Sequence, residues 1–264
     1  MMNDVFREGL FAGQTVVVTG GGSGINLRIA ERFAAQGAHT ALIGRTQSKL
    51  DAAVEGIVAA GGSASAHSAD VRDYDAMAAI MAEVAQTRGP LDVLVSGAAG
   101  NFPAPAAVMS SRGFKAVLDI DVLGTFHAAR AAFEHLRKPG AVVLNISAPQ
   151  ATVAYPLQSH VCAAKAGVDM ITKTLALEWG PLGVRVISIS PGPIDDTEGM
   201  RRLTPDEDSR QRAMDAMPLR TFGTRDDIAN LCLFCASSAG RFITGTVLSC
   251  DGGMSLVGGA VMLG

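Results

Sequence analysis

The sequence predicts an α/β fold: a doubly wound parallel sheet of seven strands flanked by helices, in one domain over residues 1–264. Three observations predict it. Apolar strand candidates recur near 15–19, 39–43, 63–68, 91–95, 141–146, 184–190 and 246–249, with helical stretches between most of them. That alternation implies right-handed crossovers and parallel pairing. The chain is 48% hydrophobic but only 5% aromatic, with 30 glycines, which suits strands buried on both faces and joined by tight turns. No repeat, low-complexity tract or linker divides the 264 residues, a length that one domain accommodates.

The first strand, Thr15 to Val18, runs into Thr19-Gly20-Gly21-Gly22-Ser23-Gly24-Ile25-Asn26, and a helical segment, Leu27 to Gln36, follows. A strand that breaks into glycines and re-forms as a helix lets backbone N–H groups approach a pyrophosphate at the positive end of the helix dipole. This Rossmann-like unit predicts a dinucleotide held by Gly20, Gly22, Ser23, Gly24, Ile25 and Asn26, although a glycine-rich turn also serves as a plain strand-to-helix loop. The second strand ends at Gly44-Arg45. An NAD site expects an acidic residue here, whereas Arg45 and Lys49 suit a 2′-phosphate, so the expected cofactor is NADP(H). Solvated charge at a helix start is the competing reading of both.

The third strand leads to Asp70-Val71, placed to bracket an adenine ring, and the fourth to Ser96-Gly97-Ala98-Ala99-Gly100-Asn101-Phe102, where small residues permit close backbone approach. Ala-rich helical patterns occupy 47–60, 74–88, 112–137 and 161–179. Inside the third of these, Asp119 and Asp121 stand two apart and cannot both face solvent easily, so at least one is expected to be partly buried. A buried carboxylate needs partners or a proton; either condition serves catalysis, and a purely structural aspartate satisfies it too. The charged run from Asp195 to Met217, with Arg201, Arg202, Glu207, Asp208 and Arg210, reads as a solvated helix–loop–helix or as a mobile substrate lid.

A net charge of −3 and a pI near 5.9 carry no basic signature of nucleic-acid binding. No apolar run reaches membrane-spanning length, and an N-terminus carrying Asp4, Arg7 and Glu8 does not resemble a signal peptide. The C-terminal Val261-Met262-Leu263-Gly264 lacks a peroxisomal address, so the expected location is cytoplasmic. Cys232-Leu-Phe-Cys235 has metal-like spacing, yet it lies in an apolar helical pattern without a second pair and is read as core; no metal site is expected.

At Ser159-His160-Val161-Cys162-Ala163-Ala164-Lys165-Ala166-Gly167 the chain resembles the short-chain dehydrogenase/reductase family over nearly its whole length. The glycine turn at 19–25, Asp70-Val71, Ala98-Ala99-Gly100, Lys165 and Pro191-Gly192-Pro193-Ile194 with Thr197 match. Several positions depart. Val161 replaces the usual tyrosine four residues before the lysine, and Ala148 the usual serine; Asp121 stands for an asparagine, Asn26 for a glycine and Ser96 for an asparagine. The 2,4-dienoyl-CoA reductases, especially the peroxisomal type and its bacterial relatives, are similar in these respects. They share Ala98-Ala99-Gly100-Asn101-Phe102, Asp119-Ile120-Asp121 with Gly124-Thr125-Phe126, Glu178-Trp179-Gly180-Pro181 and the Pro191 segment.

The resemblance implies NADP(H)-dependent reduction of a conjugated double bond in an unsaturated acyl-CoA. It implies cofactor contacts from Ala98, Ala99, Gly100, Lys165, Pro191, Gly192, Ile194 and Thr197. Acyl-CoA contacts are implied for Phe102, Ser110, Ser111, Arg112 and Arg202, and a homotetramer through helices 112–137 and 161–179. Asp121 and Lys165 are the expected catalytic residues; Tyr155 and His160 are rival acids and substrate contacts, with a surface or packing role for Tyr155 and a cap or core partner for His160 as the competing readings. The alternatives are a short-chain oxidoreductase for another carbonyl or enoyl compound, and an NADP-binding protein without catalysis.

Overall fold

The computed structural model describes residues 6–197, 200–201 and 204–257. Seven parallel strands, β1 (Thr15–Thr19), β2 (His39–Gly44), β3 (Ser63–Ser68), β4 (Leu91–Ser96), β5 (Val142–Ile146), β6 (Arg185–Pro191) and β7 (Val247–Cys250), form one sheet in the order β3-β2-β1-β4-β5-β6-β7. The chain winds outward from β1 to β3, returns to the middle as β4, and winds the other way. That reversal leaves a crevice beyond the carboxyl ends of β1 and β4, where Thr19 pairs with Ser96 on one side and Ile43 on the other. The seven expected strands are all present.

Both faces of the sheet are covered. Val16 and Val18 point into one core with Ile29, Phe33, Leu42, Leu50 and Ile187, under α1 (Gly24–Ala35), α2 (Gln47–Ala59) and α8 (Arg225–Ala236). Val17 points into the other with Ile43, Met77, Leu94, Val143 and Trp179, under α3 (Tyr74–Arg88), α5 (Gly124–Phe133) and α6 (Ser159–Trp179). This period-two division of an apolar strand between two cores is what a doubly wound sheet requires. Cys232 and Cys235 are fully buried on α8, and burial pushes the Cys232 thiol well above its usual range.

Two helices differ from the sequence expectation. α1 starts at Gly24 rather than Leu27, so its first turn reaches the glycine loop. The stretch 112–137 is not one regular helix: α4 (Ser111–Leu118) gives way to a π-helical turn, Asp119–Leu123, before α5 resumes. The wider turn changes the angular register, which fixes where its two aspartates point. A further helix, α7 (Glu207–Asp215), lies in the charged run 195–217 and starts with a capping box between Asp206 and Ser209.

Candidate active site

The crevice at the strand reversal holds two adjoining clefts. The first, about 310 Å³, is lined by Gly20, Gly22, Ser23, Asn26, Arg45, Lys49, Asp70, Val71, Ala98 and Ala99, all expected at a cofactor. Its floor is tied together by Thr19, whose Oγ1 accepts from the N–H groups of Gly97 (3.0 Å) and Ala98 (3.3 Å). Gly20 has φ +69°, and a Cβ there would come within 3.1 Å of the Ala98 backbone; the residue combines a left-handed turn with a close approach that glycine alone tolerates. α1 starts beside it with no acidic residue in its first turn and no side chain capping from Ser23. Its first N–H groups are therefore left for an anion.

Asn26 replaces a glycine with something structural. Its Nδ2 donates to the Gly97 carbonyl at 2.8 Å, and a Cβ on Gly97 would lie 2.1 Å from its Oδ1. The asparagine thus occupies room that the absence of a side chain at 97 provides. Arg45 and Lys49 stand exposed at the mouth and form no ion pair among the described residues. Asp70 accepts from Arg72 Nε (2.9 Å) and Nη2 (2.6 Å) and from its backbone N–H (3.0 Å). These bonds, with Arg72 and Arg45 charge nearby, hold its carboxyl at about 2 despite partial burial.

The second cleft, about 430 Å³, adjoins the first at Asn26, Gly97 and Ala99. Its walls include Gly24, Ile25, Gly100, Asp121, Tyr155, Lys165, Pro191, Gly192, Ile194 and Thr197. The π-helical turn directs Asp121 inward, 1% exposed, while Asp119 turns outward to Lys115 Nζ at 2.6 Å. Asp121 Oδ1 accepts from the Gly100 N–H at 2.7 Å, and its Oδ2 lies 3.2 Å from Lys165 Nζ. The ammonium also donates to the Ile146 carbonyl at 3.0 Å. One buried ion pair therefore joins the π turn, the β4 loop, the end of β5 and α6. Val161, 3% exposed, and Ala148 line the same cleft and supply no hydroxyl.

Tyr155 is half-buried on the cleft wall, its hydroxyl 3.8 Å from Met254 Sδ. Burial, with lesser contributions from Asp251 and Cys162, pushes its phenol above the ordinary value. Asp251 caps the segment that carries Met254, accepting from the N–H groups of Gly253 and Ser255, each at 3.0 Å. Gly192 passes so close to this aspartate that a Cβ would lie 2.4 Å from Asp251 Cα. Thr197 Oγ1 donates to the Ile194 carbonyl at 2.8 Å.

The remaining expected contacts lie apart. His160 is a correction: it is 0% exposed, does not line the cleft, and packs between Phe102 (4.6 Å between ring centroids) and Phe114 (6.4 Å). The second residue of α6 faces inward, and the aromatic rings close over it. Phe102 is 37% exposed above that histidine, and Ser110 caps α4 by accepting from the Gly113 N–H at 3.1 Å. Ser111 and Arg112 are exposed on the first turn of α4, and Arg202 lies outside the described residues. Asp195 accepts from Arg210 of α7 at 2.6 Å, and Asp196 pairs with Arg225 at the start of α8. Sequence reasoning missed Gln150, Gln158 and Ser147, which also line the second cleft.

A dinucleotide-type sheet, a glycine cradle and a buried Lys–Asp pair in the adjoining cleft define an oxidoreductase of the short-chain dehydrogenase/reductase type. The chain belongs to that family: residues 20–255 match the family described as enoyl-(acyl carrier protein) reductase. It is similar to the peroxisomal 2,4-dienoyl-CoA reductase, (3E)-enoyl-CoA-producing, of Rattus norvegicus, at 40% identity over 251 residues, covering 94% of this chain and 86% of that one. It is also similar to a probable 2,4-dienoyl-CoA reductase of Bacillus subtilis, 37% identical over 246 residues and covering 92% and 97%. Among solved structures, a gluconate 5-dehydrogenase from Burkholderia cenocepacia in complex with NADP and tartrate superposes with a TM-score of 0.87 at 27% identity, covering 93% and 96%. No helix among the described residues is long and apolar enough to cross a membrane.

Proposed function

We propose that this chain is an NADP(H)-dependent reductase that saturates one double bond of a conjugated dienoyl-CoA. The observation that carries the reading is the buried Asp121–Lys165 pair (3.2 Å) in a cleft where Val161 and Ala148 take the places of the hydroxyl donors. A ketone develops charge on the oxygen of the very carbon that receives hydride, so its reduction needs an acid at that point. A dienoyl thioester instead passes charge along its double bonds to the thioester oxygen, and the proton is taken up by carbon. The acid can then stand away from the hydride acceptor, and a cleft with valine at 161 remains competent.

The residues present fit the cofactor. Gly20 and Gly97 leave a cradle that side chains would fill, the first turn of α1 offers N–H groups to a pyrophosphate, and Arg45 with Lys49 offers charge to a 2′-phosphate. The NADP-bound relative supports the same choice. When bound, the reduced cofactor supplies the hydride. Lys165, oriented by Asp121 and the Ile146 carbonyl, binds the nicotinamide ribose and adds positive potential. Asp121 also fixes the Gly100 backbone and positions or relays the proton through water. Asp70 and Val71 bracket the adenine; Pro191, Gly192, Ile194 and Thr197 border the nicotinamide.

Phe102, Ser110, Ser111, Arg112 and Arg202 meet the acyl-CoA, and residues 195–217 act as its lid. The exposed apolar side chains Leu123, Phe126, Met170 and Leu177 on and beside α5 and α6 support assembly into a homo-oligomer, a tetramer by resemblance. The protein works in the cytoplasm on this reading. A spectrophotometric NADPH assay comparing 2,4-dienoyl-CoA, 2-enoyl-CoA and 3-ketoacyl-CoA tests the proposal. Oxidation of NADPH with the dienoyl thioester alone is expected; turnover of the ketoacyl compound alone overturns it.

A further inference from the structure

The chemistry proposed above leaves one atom without a named partner. Charge gathers on the thioester oxygen, several bonds from the carbon that accepts hydride, and in a secluded site it must be met by a fixed hydrogen-bond donor. The donors on the cleft wall are mostly committed. Lys165 Nζ is held by the Ile146 carbonyl and Asp121 Oδ2, and the Tyr155 hydroxyl is turned toward Met254 Sδ. Val161 and Ala148 have none to give.

Gln158 has. It stands at the N-terminal cap of α6 and lines the same cleft. Its Oε1 accepts from Gln150 Nε2 at 2.9 Å. In the structure the oxygen faces Gln150, so the NH2 group faces away and meets no protein acceptor among the described residues. Gln158, Val161 and Lys165 follow at spacings of three and four, the interval that keeps side chains on one face of a helix. The backbone of Gln158 therefore stands about 10 Å along the α6 axis from that of Lys165, and both side chains reach the same cleft.

The preceding backbone is bent to hold it there. Leu157 has φ +66°, a left-handed conformation that a leucine adopts only under constraint, and its carbonyl is tied down by the Ala104 N–H at 2.9 Å. Leucine at this position is 49% exposed and gains no burial from the bend. What the bend sets is the direction of the next residue.

We infer that the Gln158 side-chain NH2 donates the hydrogen bond that holds the substrate's thioester oxygen, with Gln150 as the positioning residue that fixes its orientation. The inference rests on the dienoyl-CoA reading. It assigns the oxygen-binding role to an amide that cannot release a proton, so protonation at carbon is left to another group, and the two tasks that a tyrosine combines are divided.

The test reads the bound substrate directly. A hydrogen bond to the carbonyl polarises the conjugated system and moves its ultraviolet absorption to longer wavelength, so a 2,4-dienoyl-CoA is titrated into the protein saturated with NADP+, where no hydride is transferred. The parent chain is expected to shift the band. Gln158→Leu is expected to abolish the shift and lower kcat by about a hundredfold, with NADPH binding, read by fluorescence, unchanged. Gln158→Glu keeps the volume but replaces the donor with an acceptor, and is expected to lose both as well. Gln150→Leu, which frees the amide to rotate, is expected to lower kcat more than it raises KM, with a partial shift remaining.

A full shift and a kcat within twofold of the parent in both Gln158 variants would overturn the assignment. So would loss of the shift in Ser147→Ala or Asn101→Leu instead, since the Ser147 hydroxyl, buried and unpartnered, and the Asn101 amide on the same wall are competing donors. A parent chain that neither reduces nor spectrally perturbs the dienoyl thioester overturns the substrate reading and this inference together. One that reduces it but ignores Gln158 sinks only the donor.

Discussion

Removing the Asp121 carboxylate should show whether the pair beneath the cleft is a coupled unit. In Asp121→Ala the Gly100 N–H loses its acceptor at 2.7 Å, a loss of about 1.5–3 kcal/mol for a bond to a charged group. The Lys165 ammonium, 7% exposed, is left without its counter-charge, and breaking a buried pair from one side costs about 3–5 kcal/mol. Because the two losses share one side chain, they overlap rather than add. The expected total is ~4 kcal/mol, a large part of the ~5–15 kcal/mol that holds a typical domain together. Lys165→Met strands the carboxylate in the same way.

The double variant Asp121→Ala/Lys165→Met strands neither charge, and paired removal of buried ions is often nearly neutral. Urea denaturation of the four proteins at pH 7 forms a double-mutant cycle, and a coupling of about 2 kcal/mol or more is expected. Single variants that each fall within ~1 kcal/mol of the parent, or a cycle additive within ~0.5 kcal/mol, would refute the reasoning. The pair would then be two independent surface-like groups, and its proposed role in orienting the nicotinamide ribose would lose its structural basis.

Three other measurements bear on the neighbouring residues. Replacing Arg45 and Lys49 together with Ser should weaken NADPH binding by about tenfold for each lost charge-assisted contact and leave NADH almost unaffected, as read by fluorescence titration; equal losses for both would contradict the 2′-phosphate assignment. Gly97→Ala places a methyl 2.1 Å from Asn26 Oδ1 and should destabilise by about 1–3 kcal/mol, with the loss recovered when Asn26→Gly is added. His39, whose ring nitrogens face Ser63 Oγ (2.8 Å) and Ser65 Oγ (3.1 Å), is pushed down to about 4 mainly by burial, with Arg88 and His67 adding to it. Its folded pKa lies below the unfolded value near 6.5, so its contribution is complete above pH 6.5 and is lost as pH falls toward 4. The urea midpoint should fall across that window, and His39→Gln should flatten the fall.

The fold was legible because its signals are local and repeated. Most strands carry an apolar run bounded by glycine or charge, and most crossovers hold an Ala-rich helix of ordinary length, so the alternation itself implies parallel pairing by right-handed crossovers; β3, Ser63–Ser68, carries the weakest apolar signal. The lining of the first cleft was legible for the same reason: Gly20, Ser23, Arg45 and Asp70 sit at or just beyond strand ends, and strand ends converge at the reversal of a doubly wound sheet. The substrate side was less so. His160 fits either a core partner or a substrate contact by its place before Lys165, and the helix turns it under Phe102 and Phe114. Gln158 carried no signal at all, because its orientation depends on Gln150 from a separate 3₁₀ turn, and no spacing rule links the two.

The π-helical turn was also invisible in the sequence, since Asp119 to Leu123 continues the pattern of the helix around it. Its consequence reaches both clefts. By widening the turn the chain swings Asp121 beneath the Gly100 N–H and toward Lys165, and on the next residue but two it brings Gly124 against Val71, where a Cβ would lie 2.5 Å from Cγ2. Val71 lines the first cleft and Asp121 the second. One irregular turn therefore packs against a wall of the first cleft and carries the carboxylate of the ion pair in the second. An asparagine at 121 would accept the same backbone N–H but leave Lys165 without a charge partner. That charge partner, with the Ile146 carbonyl, is what holds the ammonium in place beside Val161.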